Sequence, residues 1–302
     1  MPQVSIIMAT YNAEKTLKAS VDSILEQTFN DWEFIICDDC SQDNSYNILL
    51  DYKKMHPNRF VILRNEVNSK LSFSLNKCLE VAQGEYVARM DADDTSLPTR
   101  LEKQVDFLDA HPEFDVVGTA MLPFNEDGDF PPRYAKPCPE PSDMLNRSPF
   151  YHATIMMRKS AYDKVNGYTV SKRTERAQDY DMWFRFFSLG LKGYNLQLPL
   201  YHVREDSEAM KRRTFKSRCY EVITKLKGYK LLHFPVYLYV FAFKPIFAAL
   251  TPNTFIELYH KLFIWKRNSS KNDRSVLLKK IEFKYIICLL HKKKEEISCK
   301  KS

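Results

Sequence analysis

The sequence predicts an α/β protein with a mostly parallel central sheet and a basic, helical C-terminal region. Three observations carry this prediction. Short β-rich apolar runs alternate with stretches of helical periodicity over the first hundred residues, the pattern of βαβ units. Acids or amides follow three of the expected strand ends, where open α/β sheets bind ligands. Charge is also divided along the chain. Of 45 Lys and Arg and 38 Asp and Glu in 302 residues, residues 211–302 hold 22 and 6, a net of +16, leaving −9 on the first 210. A boundary is therefore expected at 210/211, and the length suits one sizeable α/β core with an appendage.

The elements follow in order. The run VSIIM (4–8) is a first strand, ending on Ala9, Thr10, Tyr11 and Asn12. Across 13–27, Leu17, Val21, Ile24 and Leu25 recur at helical spacing. A second strand, WEFIIC (32–37), ends on Asp38, Asp39, Cys40 and Ser41; a helix then reaches about Met55, and FVIL (60–63) gives a third strand. A helix over 75–82 leads into EYVARMDADD (85–94), the stretch on which the chain is organised. Tyr86, Val87 and Ala88 read as a short buried strand, with Arg89 ahead of Asp91, Asp93 and Asp94 at its end. Pro98 suits the first turn of the helix that follows. Asp91 and Asp93 are two apart, so in an extended chain both side chains leave one face. Such carboxylates are hard oxygen ligands for Mg²⁺ or Mn²⁺, which in turn can hold a diphosphate. A solvated acidic turn favouring the next helix's N-terminus would use the same residues.

Further on, 124–133 and 136–141 form a Pro-rich, loop-forming insertion. QDYDMW (178–183) opens a helix with Met182, Trp183, Phe186 and Phe187 on one apolar face and Asp179 in its first turn. There a carboxylate is favoured by the helix dipole whatever else it does. Seven cysteines are an odd number with no zinc-type pairing; Cys37-x-x-Cys40 closes an apolar run and reads as fortuitous. Free thiols suit a reducing compartment, and Met-Pro-Gln runs straight into a strand with no signal peptide, so a cytoplasmic location is expected.

Four segments in order resemble family 2 glycosyltransferases of the GT-A fold: VSIIMATYNAEKTLKASVDSILEQT, FIICDDCSQDNS, GEYVARMDADDTSLPTRLEKQVDFL and AQDYDMWFRF. The resemblance spans about 3–205 and implies an inverting enzyme that uses a UDP-sugar donor with Mn²⁺ or Mg²⁺. By that resemblance Thr10 and Tyr11 hold the uridine, Asp39 accepts a hydrogen bond from uracil, and Arg64 and Arg89 steady uracil or phosphate. Either arginine would serve equally as a structural ion-pair partner. Asp91 becomes the ribose- or diphosphate-side carboxylate, Asp93 the metal ligand and Asp179 the general base, with Asp181 as runner-up. The Pro-rich insertion falls on the acceptor side of the crevice. Residues 152–158 resemble a strand bordering it, with His152 at a position often occupied by His in the family. LPLYHVREDS (198–207) resembles the strand closing the active site, where His202 and Arg204 stand in the reverse of the usual order; either could face the diphosphate. The sequence departs from the family where Asn-x-Gly is usual. It has Asn68-Ser69-Lys70 there, and with only seven glycines in the chain a reshaped loop is expected. The Glu-Asp pair usual before Tyr-Asp-x-Trp reads Gln178-Asp179, keeping the acid assigned as base.

Residues 231–250 are twenty residues long and aromatic-rich, yet Pro235, Lys244, Pro245 and His233 interrupt a clean membrane span. Basic flanks suit helices lying in an interface, so an anionic membrane surface is the expected partner of 211–302 and nucleic acid is not. A basic, disordered end is expected over 292–301. The acceptor implied is a hydroxyl of a lipid-linked or growing glycan at the inner face of the plasma membrane, as in surface-polysaccharide assembly. Two other readings remain at this stage: transfer to a polyprenyl phosphate, and an inactive domain that binds nucleotide or nucleic acid.

Overall fold

A computed structural model of the chain describes residues 1–126, 128–205 and 214–246. Contacts divide the chain into Met1–Ile246 and Phe247–Ser302. The expected 210/211 boundary and the basic end at 292–301 lie outside the described residues.

The sheet is built from β1 (Val4–Thr10), β2 (Trp32–Asp38), β3 (Phe60–Arg64), β4 (Tyr86–Arg89), β5 (Thr95–Ser96), β6 (Val116–Asn125), β7 (Gly128–Asp129), β8 (Met156–Arg158) and β9 (Gly193–Arg204). Its order is β3-β2-β1-β4-β8-β6-β9-β5, with β7 on β6. β3, β2, β1 and β4 run parallel, as the alternating pattern predicts, and β6 pairs with β9 in parallel. The three-residue β8 is inserted antiparallel between β4 and β6.

Alternation along β1 assigns the two faces. Val4, Ile6 and Met8 point into one apolar cluster with residues of α1 (Leu17–Leu25), α2 (Ser45–Met55) and α4 (Arg100–Ala110). Ile7 points into the other, with residues of α3 (Leu71–Val81), α5 (Lys159–Val165) and α6 (Gln178–Ser188). On α6, Met182, Trp183, Phe186 and Phe187 are all buried, each burial contributing roughly 1.5–3 kcal/mol. The next helix, α7 (Phe215–Leu231), packs on α6 through Gly228 against Phe184 and through Tyr229, and a 3₁₀ segment, Val236–Phe243, follows.

Some boundaries differ from the sequence expectation. α1 starts at Leu17 and not near Ala13, because the amides of Ala13 and Glu14 donate to Ser45 Oγ (2.8 Å) and the Asp43 carboxylate (3.0 Å). α3 starts four residues early, at Leu71. His152–Thr154 forms a 3₁₀ turn ahead of β8; Thr154 Oγ1 donates to the carbonyl of Tyr151 at 2.9 Å, a local closure that displaces extended pairing.

Candidate active site

Parallel register pairs Thr10 with Asp38 and Ile7 with Arg89, so β1, β2 and β4 end along one edge of the sheet. A cleft of about 1190 Å³ opens there, lined by Tyr11, Glu14, Arg89, Asp91, Asp93 and Arg204 among others. Its position is the one expected of a ligand crevice in an open α/β sheet.

At one end of the cleft the strand-end loops are laced together. The Thr10 carbonyl accepts from the Asp39 amide at 2.8 Å, while the buried Thr10 hydroxyl has no hydrogen-bond partner among the described residues. Tyr11 is half exposed at the cleft wall. Asn12 has φ +51°; its amide donates to Ser41 Oγ (3.0 Å) and its Oδ1 accepts from the Gln42 amide (2.8 Å). Asp39 is buried and holds the β3–α3 loop. Its Oδ1 accepts from Asn65 Nδ2 and the Ser69 amide, both at 2.7 Å, and its Oδ2 from the Lys70 amide at 2.9 Å. Lys70 has φ +74°, ψ 164°, a region that costs a non-glycine residue about 1–3 kcal/mol. Lys70 thus adopts a conformation usual for glycine, offset by the charge-assisted bond of its amide to Asp39. Arg64 pairs through Nε with Asp38 (3.3 Å), stacks on the Tyr46 ring (4.1 Å) and is not among the cleft's lining residues.

At the other end Arg89 is buried against Asp91, with Nε at 3.1 Å and Nη2 at 3.0 Å from Oδ1; Nη1 has no hydrogen-bond partner among the described residues. Burial opposes the charge on Arg89, but Asp91 beside it prevails and raises its pKa. The Asp91 amide donates to Tyr201 Oη at 3.0 Å. Asp94 lies buried below; burial, then Asp91 and Asp93, push its carboxyl well above the usual carboxylate range. Arg204 closes this end. Its amide donates to Asp94 Oδ1 (2.8 Å), its Nε to the Asp93 carbonyl (3.3 Å), and its guanidinium covers Phe124 (4.7 Å). Of the two residues in reversed order, Arg204 lines the cleft, whereas His202 pairs with Thr95 and packs on Phe124.

This end fits a divalent cation by its donor chemistry. Asp91 and Asp93 present hard oxygens on the cleft wall, and their repulsion with Asp94 is what a cation relieves. Among the described residues no three His, Cys, Asp or Glu side chains form a metal group. The fit is therefore to an ion such as Mg²⁺, which takes one or two carboxylates and completes its shell with phosphate and water.

Asp179 occupies the first turn of α6, partly buried, and is not among the lining residues of the cleft. Burial raises its pKa, and the Tyr180 amide and the charge of Arg89 draw it back in part. Asp181 is tied up by Thr169 Oγ1 (2.6 Å), Arg173 Nη2 (2.8 Å) and Arg185 Nε (3.0 Å); these hold its pKa down against burial. It anchors the helix to the preceding loop. His152 is held through Nε2 by Tyr168 Oη (3.0 Å) and edge-on to Trp183, and burial with Arg89 nearby keeps the ring neutral. His152 is not among the lining residues of the cleft.

Arg100, Tyr201 and Asn65 were not singled out from sequence. Arg100 is fully buried, donates through Nη2 to the Arg89 carbonyl (2.7 Å) and stacks on Tyr201 (4.7 Å); burial lowers its pKa to about 10. Its signal was available: Arg100 and Gln104 share the apolar stripe of Leu101, Val105 and Leu108. Cys37 is a buried free thiol pushed up to about 11, in keeping with the structural reading of its CxxC string.

Comparison with known proteins bears on the site. The model of the family described as glycosyl transferase family 2 matches residues 5–173. The chain is 45% identical over 260 residues to the putative glycosyltransferase EpsE of Bacillus subtilis (strain 168), covering 86% of this chain and 94% of that one. It is 26% identical over 245 residues to the UDP-Glc:alpha-D-GlcNAc-diphosphoundecaprenol beta-1,3-glucosyltransferase WfaP of Escherichia coli, covering 80% and 93%. Among solved structures, S. aureus TarS 1-349 in complex with UDP-GlcNAc superposes with a TM-score of 0.62 at 19% identity, covering 76% and 70%, and shares the GT-A type of fold.

Proposed function

The chain belongs to glycosyl transferase family 2, and from that membership we propose that it is an inverting transferase moving a sugar from a UDP-sugar to a hydroxyl of a lipid-linked glycan in polysaccharide assembly. One observation carries the reading. The ends of β1 and β4 bring Arg89, Asp91, Asp93 and Arg204 to one cleft, with Arg89 at 3.0 Å from Asp91.

In this reading the nucleoside lies over Thr10, Tyr11 and Asp39. One lone pair of Asp39 Oδ2 remains for a uracil N–H, since its loop partners use three of the four. The diphosphate lies toward Asp91, Asp93 and Arg204. A divalent cation, Mn²⁺ or Mg²⁺, held by Asp93 with phosphate oxygens would neutralise charge on the departing UDP. Asp179, made more basic by burial, takes the proton of the acceptor hydroxyl. The hydroxyl oxygen forms a bond to the anomeric carbon as the bond to the UDP oxygen breaks, and its electron pair leaves with UDP. A single displacement of this kind inverts the anomeric configuration.

A hydroxyl needs a base whereas a phosphate acceptor does not, so a partly buried carboxylate at 179 favours the glycan acceptor. The name of the WfaP relative, with its UDP-Glc donor and sugar-diphospholipid acceptor, supports the same pairing. No helix among the described residues is long and apolar enough to cross a membrane. Instead Val236, Tyr237 and Val240 expose apolar side chains (79%, 76% and 59%) in the segment of chain between Lys230 and Lys244, which suits peripheral attachment to an anionic inner leaflet.

A screen of UDP-sugars with and without Mn²⁺ or Mg²⁺, run on wild type and Asp93→Ala, tests the donor side. UDP release from one donor, dependent on metal and lost in the variant, is expected. Undiminished release by Asp93→Ala would overturn the role given to Asp93.

A further inference from the structure

We propose that a second, cationic pocket beside the head of α6 binds the diphosphate of a sugar-diphospholipid acceptor, with Lys172 and Arg176 as its principal contacts. The proposal rests on the transferase reading above and names the part of the acceptor that this chain grips.

The pocket, about 340 Å³, lies between the segment entering α6 and the first turns of α7 and shares no lining residue with the donor cleft. Lys172, Arg173, Arg176 and Lys216 line it against a single acid, Glu175. Three of these cations, Lys172, Arg173 and Arg176, fall within five residues of a stretch, 1–210, whose net charge is −9. The four cations differ in what they do. Arg173 is committed to the wall, through Nη2 to Asp181 (2.8 Å) and Nη1 to Thr224 (3.1 Å). Among the described residues Lys172, Arg176 and Lys216 form no ion pair, and Lys216 rests near the Tyr220 ring at 5.9 Å. α7 starts at the same place, its Thr214 cap accepting from the Ser217 amide, so the positive end of a seventeen-residue helix adds to the field.

Position relates the pocket to the reaction. Arg176 precedes Asp179 by three residues, so their Cα atoms lie within about 11 Å of one another. An acceptor whose hydroxyl sits at Asp179 carries its diphosphate one sugar ring away, within the reach that three residues of chain set for Arg176. A guanidinium fork matches two phosphate oxygens, and a neighbouring ammonium supplies a point charge for the rest. The nucleotide's own diphosphate belongs at Asp91, Asp93 and Arg204, which leaves this pocket to the second substrate.

The test uses the full chain and the double variant Lys172→Glu/Arg176→Glu, both at exposed positions that tolerate charge. Inorganic pyrophosphate is titrated directly, with UDP present to fill the donor cleft. Wild type is expected to bind it at least tenfold more tightly than the variant, with UDP affinity unchanged. With a sugar-diphospholipid in micelles, KM for the acceptor is expected to rise at least tenfold. Transfer to the same sugar on an uncharged aglycone should be unaffected. Equal pyrophosphate affinity in the two proteins, or one-for-one displacement of pyrophosphate by UDP, would overturn the site. A variant that loses binding to phosphatidylglycerol vesicles while keeping pyrophosphate affinity would reassign the cluster to membrane headgroups. Failure of wild type to use any sugar-diphospholipid, with pyrophosphate binding as expected, would instead defeat the acceptor reading and leave the anion site standing.

Discussion

Gly228→Ala sets two effects of opposite sign against each other. In an exposed helix interior the change stabilises by about 1 kcal/mol, because glycine has the lower helix propensity. At position 228 of α7, however, the new Cβ would fall 2.1, 2.2 and 2.4 Å from three ring atoms of Phe184. Phe184 is 1% exposed on α6, edge-on to Tyr229 and tilted against Tyr180, so its ring has little room to retreat. Overpacking of this kind costs roughly 1–3 kcal/mol and, with contacts this short, belongs at the upper end. The net expectation is a loss of about 1–2 kcal/mol, read as a fall in Tm of several degrees. α6 begins beside Asp179, so the same change should lower transfer more than it weakens UDP-sugar binding. Adding Phe184→Leu should recover part of both losses, a coupling that residues out of contact would not show. A rise in Tm for Gly228→Ala alone would refute the claim that α7 is seated on α6 through this contact.

Lys70→Gly should raise stability by up to about 1–2 kcal/mol in urea unfolding, since relief of the strain exceeds glycine's entropy cost; a loss would show that the Asp39 bonds leave no strain to relieve. Asp179 must be ionised to act, and burial raises its pKa. Activity is therefore expected to fall as pH drops through a value above 3.8, the usual pKa of an aspartate, and a kcat/KM profile flat down to that value would contradict the assignment.

The parallel half of the fold was legible because each strand there is local and each helix buries one stripe; β1, β2, β4 and the α6 face all lie where periodicity predicts. The insertion of β8 between β4 and β6 was not legible, since three residues carry no period and their partners lie far away in the chain. The site divides similarly. Acids at strand ends could be read from position alone, and Asp91, Asp93 and Arg204 do share one cleft. What sequence could not give was the prior engagement of these groups: Asp39 by the loop at Ser69 and Lys70, Arg89 by Asp91, Arg64 by Asp38. In sequence each arginine suits a ligand or an ion pair equally, and only three-dimensional contact distinguishes the two. The left-handed turns at Asn12, Cys40 and Lys70 were hidden for the opposite reason, because none of them is a glycine.

The most direct test of the central claim is the transfer rate of Asp179→Asn, measured beside its affinity for the donor. The substitution keeps the shape and removes the basic oxygen. Donor affinity should stay within about twofold of wild type, while transfer to a hydroxyl acceptor falls by about 10²–10⁴. Transfer within a few-fold of wild type would show that another group takes the proton and that Asp179 only caps α6.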